Sequence, residues 1–242
     1  TYSLVRNGKV LDEVKSYFAM RKISMQPDKN GIQRMLLNNE FVFQYGPLDQ
    51  GWWPDGLYTA PTDEALKFDI EKTKEMGFNT IRKHVKVEPA RWYYYCDQMG
   101  MLVWQDMPSG DMGNRWESRP GVYGVGTDKK RTPESEQIFK TEWAEIMKDL
   151  HNFQSIVVWV PFNEAWGQFK TAEITGWTEK EDPSRLVNSA SGGNFEPVGH
   201  IIDLHNYPAP AMPQPSLYGK QQIIVLGEFG GLGLPIEGHT WQ

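Results

Sequence analysis

The stretch Ser155–Trp166, SIVVWVPFNEAW, decides how the chain is read. Ile156, Val157, Val158, Trp159 and Val160 form an unbroken apolar run rich in β-branched residues. That is the pattern of a strand covered on both faces, and strands of that kind belong to parallel sheets. Pro161 cannot donate a ladder hydrogen bond, so pairing should end near it, leaving Asn163 and Glu164 where the strand's C-terminal end opens into a loop. Parallel α/β folds hold their ligands at that end. A second stretch has the same grammar: Ile223, Ile224, Val225 and Leu226 lead through Gly227 to Glu228, with Gly230 and Gly231 behind.

One strand-end carboxylate has an ordinary structural explanation, as an acceptor of backbone N–H bonds or a cap on the next helix. Two of them, each directly behind a fully apolar run, point to carboxylates gathered at one barrel mouth. Cleavage of a glycosidic bond needs such a pair, one to protonate the leaving oxygen and one to attack or to activate water.

The 242 residues suffice for one α/β barrel and do not require two full domains. Net charge is -6 with Lys and Arg scattered, so no basic stripe is available to neutralise phosphates, and a nucleic-acid partner is not expected. Aromatic residues make up 13%, including 10 Trp, and exposed aromatic faces are a common way to hold sugar rings. Cys96 is the only cysteine, so no intrachain disulfide can form, and its place in WYYYCDQMG suggests a buried, inert thiol. No apolar run is long enough for a transmembrane helix, and none of the membrane-partner patterns appears. Thr1 is not followed by a charged and then apolar leader, so any signal peptide is expected to be absent or removed. Localisation is not legible from these residues; for the full-length protein a periplasmic or extracellular setting is the expectation.

Residues 1–27 read as the tail of an upstream β domain, ended by the breaker cluster Pro27, Asp28, Asn30 and Gly31. Residues 28–242 read as an α/β barrel. Its first strand is expected over Phe41–Tyr45, emptying into a loop whose Trp52 and Trp53 are expected to pack more than to stack on a ligand. A helix capped by Thr62 and stopped by Gly77 hands to a strand at Phe78–Ile81 that ends in Arg82 and His84. A second helix, opened by Pro89 and stopped by Gly100, hands to Met101–Trp104, which ends at Gln105 and Asp106. A polar, glycine-rich loop covers Ser109–Arg131, and Thr132 and Pro133 then cap a helix with Phe139, Trp143, Met147 and Leu150 on one stripe. After SIVVWVPFNEAW and a helix around Lys170–Trp177, strands follow at Leu186–Ser189, Ile201–Tyr207 and Ile223–Glu228. That makes seven strands where a closed barrel has eight, so the barrel is expected to be incomplete on its C-terminal side.

In this order the motifs EVKSYFAMRKI, GFNTIRKH, YYYCDQMGMLVWQDMP, SIVVWVPFNEAW and IIVLGEFGG resemble glycoside hydrolase family 2, the family of β-galactosidases, β-glucuronidases and β-mannosidases. The resemblance covers nearly the whole chain. It implies that residues 1–27 end an immunoglobulin-like sandwich and that the rest is a TIM (β/α)8-type catalytic barrel lacking its eighth strand. It also implies a retaining exo-β-glycosidase, most similar to β-galactosidases, acting on terminal β-linked sugars by double displacement with no cofactor; the isolated fragment is expected to show little activity. Glu164 then matches the general acid/base, Asn163 the residue on the sugar 2-hydroxyl, Glu228 the nucleophile, Tyr207 its hydrogen-bonding tyrosine and Arg82 a nearby cation. Trp166 and His205 complete the expected carbohydrate-binding residues. A cation beside Glu228 would keep it ionised, while Glu164 beside Trp166 would hold its proton.

Three departures matter. RKHVKVEP puts Val85 in the family's usual histidine slot, with His84 one residue earlier. Gly110 and Met112 stand where some β-galactosidases carry magnesium ligands, so no metal is expected. Asp203 and His205 share a strand face and are expected to form a hydrogen-bonded pair, since two ligands without a third are a weak metal site. The competing readings are a β-glucuronidase or β-mannosidase specificity, a non-catalytic carbohydrate-binding barrel, and a doubly wound sheet with a serine or metal site. The last lacks GxSxG, HExxH and any glycine-rich phosphate loop. The full-length protein could also form a homo-oligomer.

Overall fold

The computed structural model describes residues 1–111, 128–193, 195–212, 217–218 and 220–238. Antiparallel strands come first. β1 (Tyr2–Arg6) and β2 (Lys9–Val14) form an exposed hairpin around Asn7 and Gly8, both at positive φ, the conformation that a two-residue hairpin turn requires. β3 (Ile23–Pro27), β4 (Gln33–Leu37) and β5 (Glu40–Phe41) build a three-stranded antiparallel sheet. Asp28 Oδ1 accepts from the amides of Asn30 (2.7 Å) and Ile32 (3.1 Å), and Gly31 is left-handed, so the breaker cluster is the turn of the β3–β4 hairpin. The boundary drawn at Asp28 therefore cuts a hairpin: Pro27 pairs with Gln33 across it.

The parallel sheet has seven strands in chain order: β6 (Leu48–Asp49), β7 (Thr80–Lys83), β8 (Leu102–Asp106), β9 (Ile156–Val160), β10 (Leu186–Ser191), β11 (Ile201–His205) and β12 (Ile223–Glu228). It is an incomplete TIM-type barrel. The first barrel strand is displaced from its expected place at Phe41–Tyr45, because Phe41 ends the antiparallel sheet and only Leu48–Asp49 pairs parallel with β7. Gly46 lies so close to β7 that a Cβ there would sit 1.5 Å from the Thr80 carbonyl oxygen. The helices α1 (Asp63–Glu75), α2 (Ala90–Met99), α3 (Pro133–Leu150) and α4 (Thr171–Glu181) follow β6, β7, β8 and β9 in turn. Thr62 Oγ1 accepts from the Ala65 amide, Thr132 Oγ1 accepts from Ser135, and Gly100 ends α2 in the left-handed region.

β9 lies at the centre of the sheet, and every residue from Ile156 to Val160 is 0% exposed, each aliphatic side chain contributing about 1.5–3 kcal/mol by burial. Trp159 meets Trp143 of α3 edge to face, with centroids 5.5 Å apart. Ile23 and Met35 of the antiparallel sheet join Trp104, Val158 and Ile201 in a second cluster, which fastens that sheet to the barrel. β12 pairs only with β11 among the described residues, and beside it an apolar groove is lined by Phe43, Tyr45, Val225 and Phe229. No helix among the described residues is long and apolar enough to cross a membrane.

Candidate active site

The C-terminal ends of β7, β8, β9, β11 and β12 converge on one guanidinium. Arg82 Nη1 donates to Glu228 Oε1 at 2.6 Å, Nε and Nη2 grip the two oxygens of Asp106 at 3.1 and 2.8 Å, and Nη2 also reaches Asn163 Oδ1 at 2.6 Å. Period-two alternation along β7 points the next residue the other way, so Lys83 lies over the Trp92 ring of α2 at 4.4 Å and pairs with Asp49 and Glu88. Asp106 makes the arrangement possible, since a buried guanidinium is tolerated only when paired and hydrogen-bonded.

Glu228 sits in the last position of β12, 7% exposed. Burial by itself would raise its pKa, but the charges of Arg82 and His205, the hydroxyl of Tyr207 and the nearby His84 together hold it below the ordinary carboxylate value. Tyr207 donates its hydroxyl to Glu228 Oε2, and burial together with that carboxylate raises the tyrosine's own pKa. Gly227, one residue earlier, is there because nothing larger fits: a Cβ would fall 1.8 Å from Asp203 Oδ1.

Glu164 and Ala165 both adopt left-handed backbone (φ 52° and 67°), a conformation uncommon for residues other than glycine. The Glu164 amide is tied to the Ser191 carbonyl at 2.6 Å, so the turn after β9 is locked to the end of β10. His205 Nδ1 lies 3.0 Å from Glu164 Oε1 and 3.4 Å from Glu228 Oε2. One oxygen of each glutamate and a ring nitrogen of His205 all lie within 4.8 Å of one another.

The expected Asp203–His205 hydrogen bond is not formed. His205 Nε2 lies 3.9 Å from Asp203 Oδ1 and is taken by Ser191 Oγ at 2.8 Å, while Asn188 donates to Asp203 Oδ2 at 2.7 Å. Left-handed Gly192 leaves room for the ring where it stands, since a Cβ there would fall 2.3 Å from His205 Nδ1. Burial raises the pKa of Asp203 even though His205, Arg82 and its hydrogen bonds favour the ionised form. Glu164, His205 and Glu228 together have the donor atoms of a cation site, but the Arg82 charge already bonded to Glu228 opposes a second cation there. Of the two positions compared with magnesium ligands, Gly110 brings no side chain and Met112 lies outside the described residues.

Asn163, Arg82, Glu228, Tyr207, His205 and Glu164 are therefore linked in one continuous set of side-chain contacts, with Arg82 joining Asn163 to Glu228 and His205 lying between Glu228 and Glu164. Trp166 stands apart as a half-exposed ring (54%) on the turn that carries Glu164, whose near neighbour is His205. Asp106 and Ser191 were not singled out by sequence reasoning. Asp106 had the right signal, an apolar run ending in a carboxylate, as in the two glutamate strands; Ser191 had none. Of the two tryptophans in the loop after β6, Trp53 is partly buried, whereas Trp52 is 49% exposed and edge-on to Tyr58 at 5.3 Å.

Residues 59–220 match the model of "Glycosyl hydrolases family 2, TIM barrel domain". A putative β-glucuronidase of Formosa agariphila is 29% identical over 187 residues, 76% of this chain and 16% of that protein. A β-galactosidase of Vibrio vulnificus is 26% identical over 141 residues, 58% of this chain and 13% of its own length. The crystal structure of Parabacteroides merdae β-glucuronidase superposes with a TM-score of 0.64 at 15% identity, over 85% of this chain and 24% of that one. The chain thus spans a small part of the length of the relatives it matches.

Proposed function

The chain belongs to glycosyl hydrolase family 2, and from the geometry of its barrel mouth we propose that the protein carrying it is a retaining β-glycosidase. Glu228 is the nucleophile and Glu164 the general acid/base. The observation that carries this reading is the closeness of the two carboxylates, one oxygen of each lying within 4.8 Å of the other. Retaining enzymes place the pair about 5–5.5 Å apart, whereas inverting enzymes need roughly 6.5–9.5 Å to admit a water between carboxylate and sugar.

Each neighbour then has a task. Arg82 keeps Glu228 ionised for attack at the anomeric carbon, and Tyr207 orients it. Glu164 gives its proton to the leaving oxygen and later takes one from the water that hydrolyses the glycosyl–enzyme bond, and His205 holds its carboxylate in place. Asn163 Oδ1 accepts from Arg82, so its NH2 is turned to donate to a ring hydroxyl, and Trp166 is suited to the departing group by its exposure beside Glu164. No step uses a metal or an organic cofactor. The β1–β2 hairpin, exposed along its length, is the end of an immunoglobulin-like sandwich.

The substrate is a terminal β-linked sugar, with β-galactoside the first choice. β-Glucuronides are the second reading, because both kinds of name occur among the relatives. Nitrophenyl β-galactoside, glucoside, mannoside, glucuronide and arabinoside assayed with the enzyme at its full natural length separate these. Proton NMR of the first-formed sugar tests the mechanism: β-configured product is expected, and α-configured product would rule out double displacement. Absence of turnover across the panel would favour the carbohydrate-binding alternative.

A further inference from the structure

We propose that Asp203 and Ser191 are positioning residues for the reaction: Asp203, as a neutral acid, donates to the Ser191 hydroxyl, which donates to His205 Nε2 and so fixes the imidazole proton on Nδ1, facing Glu164. This rests on the glycosidase reading above and extends it to two buried residues that touch no substrate. The starting point is the place of Nδ1. It lies 3.0 Å from Glu164 Oε1 and 3.4 Å from Glu228 Oε2, so a lone pair there would face two carboxyl groups, one of them held ionised beside Arg82. A proton on Nδ1 instead makes it a donor to both. With Nδ1–H on Oε1, Glu164 carries its own proton on Oε2, where the leaving oxygen can take it. The opposite tautomer would draw that proton to Oε1, between Glu164 and His205 and away from the substrate.

In a neutral ring with its proton on Nδ1, Nε2 is an acceptor, and its partner is Ser191 Oγ at 2.8 Å. The hydroxyl has a single proton; once given to Nε2, it leaves Oγ to act only as an acceptor. Ser191 and Asp203 are register partners across the parallel pair β10–β11, both fully buried, and the hydroxyl lies within reach of the Asp203 carboxyl group. Asp203 Oδ2 accepts from Asn188 at 2.7 Å, whereas Oδ1 has no hydrogen-bond partner among the described residues. A bare carboxylate oxygen in a fully buried place carries a heavy desolvation penalty. A proton on Oδ1 removes the charge and supplies the donor that Ser191 Oγ lacks. Burial also raises the pKa of Asp203, towards the neutral form. Every proton along Asp203, Ser191, His205 and Glu164 then points the same way, and the backbone keeps the members in line: the Ser191 carbonyl accepts from the Glu164 amide at 2.6 Å, and the Asp203 carbonyl accepts from the Gly192 amide at 3.0 Å.

The test compares kcat/KM of the full-length enzyme and its variants on two glycosides of the sugar that wild type hydrolyses best. One carries dinitrophenol, which departs without protonation, and the other methanol, which does not. Ser191→Ala lets the ring take either tautomer; it should lose roughly tenfold on the methyl glycoside, as for one lost hydrogen bond, and no more than about twofold on the dinitrophenyl one. Asp203→Val should show the same split. Asp203→Asn is the conservative rescue: its carbonyl accepts from Asn188 and its NH2 donates to Ser191 as the acid does, so the wild-type ratio between the two glycosides should be kept. If Asp203→Val fails to fold, Ser191→Ala and Asp203→Asn decide between them. Equal losses on both glycosides in Ser191→Ala would reduce the hydroxyl to packing and overturn the proposal. An Asp203→Asn variant that shows the Ser191→Ala split would mean that Asp203 acts as an anion, which overturns it too. Either result leaves the glycosidase reading intact, whereas a wild-type enzyme inert on every aryl β-glycoside would overturn both.

Discussion

Arg82 and Glu228 face each other across 2.6 Å inside the barrel mouth, their side chains 6% and 7% exposed, with the same guanidinium chelating the fully buried Asp106. One cation thus serves two carboxylates on neighbouring and distant strands. Removing one member of a buried pair leaves an uncompensated charge, at a cost of about 3–5 kcal/mol. Arg82→Met should lower the melting temperature accordingly and abolish turnover. Arg82→Lys retains the charge but loses the fork that grips Asp106; it should fold yet lose about 10²-fold in kcat/KM through misplacement of Glu228. Thermal denaturation beside steady-state kinetics separates the two effects.

The pH dependence follows from the sign of the Glu228 shift. Its folded pKa lies below the usual carboxylate value. Its share of stability is therefore complete above the unfolded value of about 4.3 and is lost as pH falls through the lowered one. The acid limb of kcat/KM, which reports the free enzyme, should lie below that of an ordinary glutamate. Tyr207→Phe removes a hydroxyl that favours the ionised form, so its acid limb should move upward. An acid limb unmoved by this substitution would place the titration on another group.

The two glutamates should part company with leaving-group chemistry. Glu228→Gly should eliminate turnover, with azide restoring it through attack from the vacated side to give an α-glycosyl azide. Glu164→Ala should cripple poor leaving groups far more than activated aryl glycosides, because only the former need protonation. Equal losses on both substrate types would reverse the assignment.

Much of this arrangement was legible because chemistry and periodicity agreed. The run Ile156–Val160 announced a buried parallel strand, and Thr62, Thr132 and Gly100 marked helix ends where the structure has them. Misreadings arose where tertiary contact outweighed local pattern. Phe41–Tyr45 looks like a strand, yet it is the close approach of Gly46 to Thr80 that sets where the parallel ladder begins. Pro27–Gly31 looks like a domain boundary, yet Asp28 folds it into a hairpin turn. Asp203 and His205 share a strand face, but Ser191 and Asn188, from a different strand, decide their partners. No one-dimensional pattern carries that information.

The open side of the barrel bears on activity. β12, which carries Glu228, pairs on one side only among the described residues and borders an apolar groove lined by Phe43, Val225 and Phe229. An unpaired edge beside exposed apolar surface leaves the strand of Glu228 weakly held. The 242 residues expressed alone should therefore turn over aryl β-glycosides far more slowly than the full-length enzyme. Comparable kcat values for the two would show that the strand needs no further support.

Gly227 offers the sharpest test of how tightly Glu228 is positioned. It immediately precedes Glu228 on β12, and a Cβ added there would meet Asp203 Oδ1 at 1.8 Å and its Cγ at 2.4 Å. Asp203 cannot retreat freely: it is fully buried, and its Oδ2 is bonded to Asn188. Gly227→Ala must therefore push β12 away from β11 or expel the Asp203 carboxylate from its place beside Ser191 and His205. Either movement displaces Glu228 relative to Glu164, and a displacement of about 1 Å can cost about 10²-fold in rate. The expected outcome is a folded variant whose kcat falls about 10²-fold or more. Pairing the substitution with Asp203→Gly removes the obstructing side chain and should recover part of the loss. Unchanged kcat in Gly227→Ala would show that the strand has room the packing denies it.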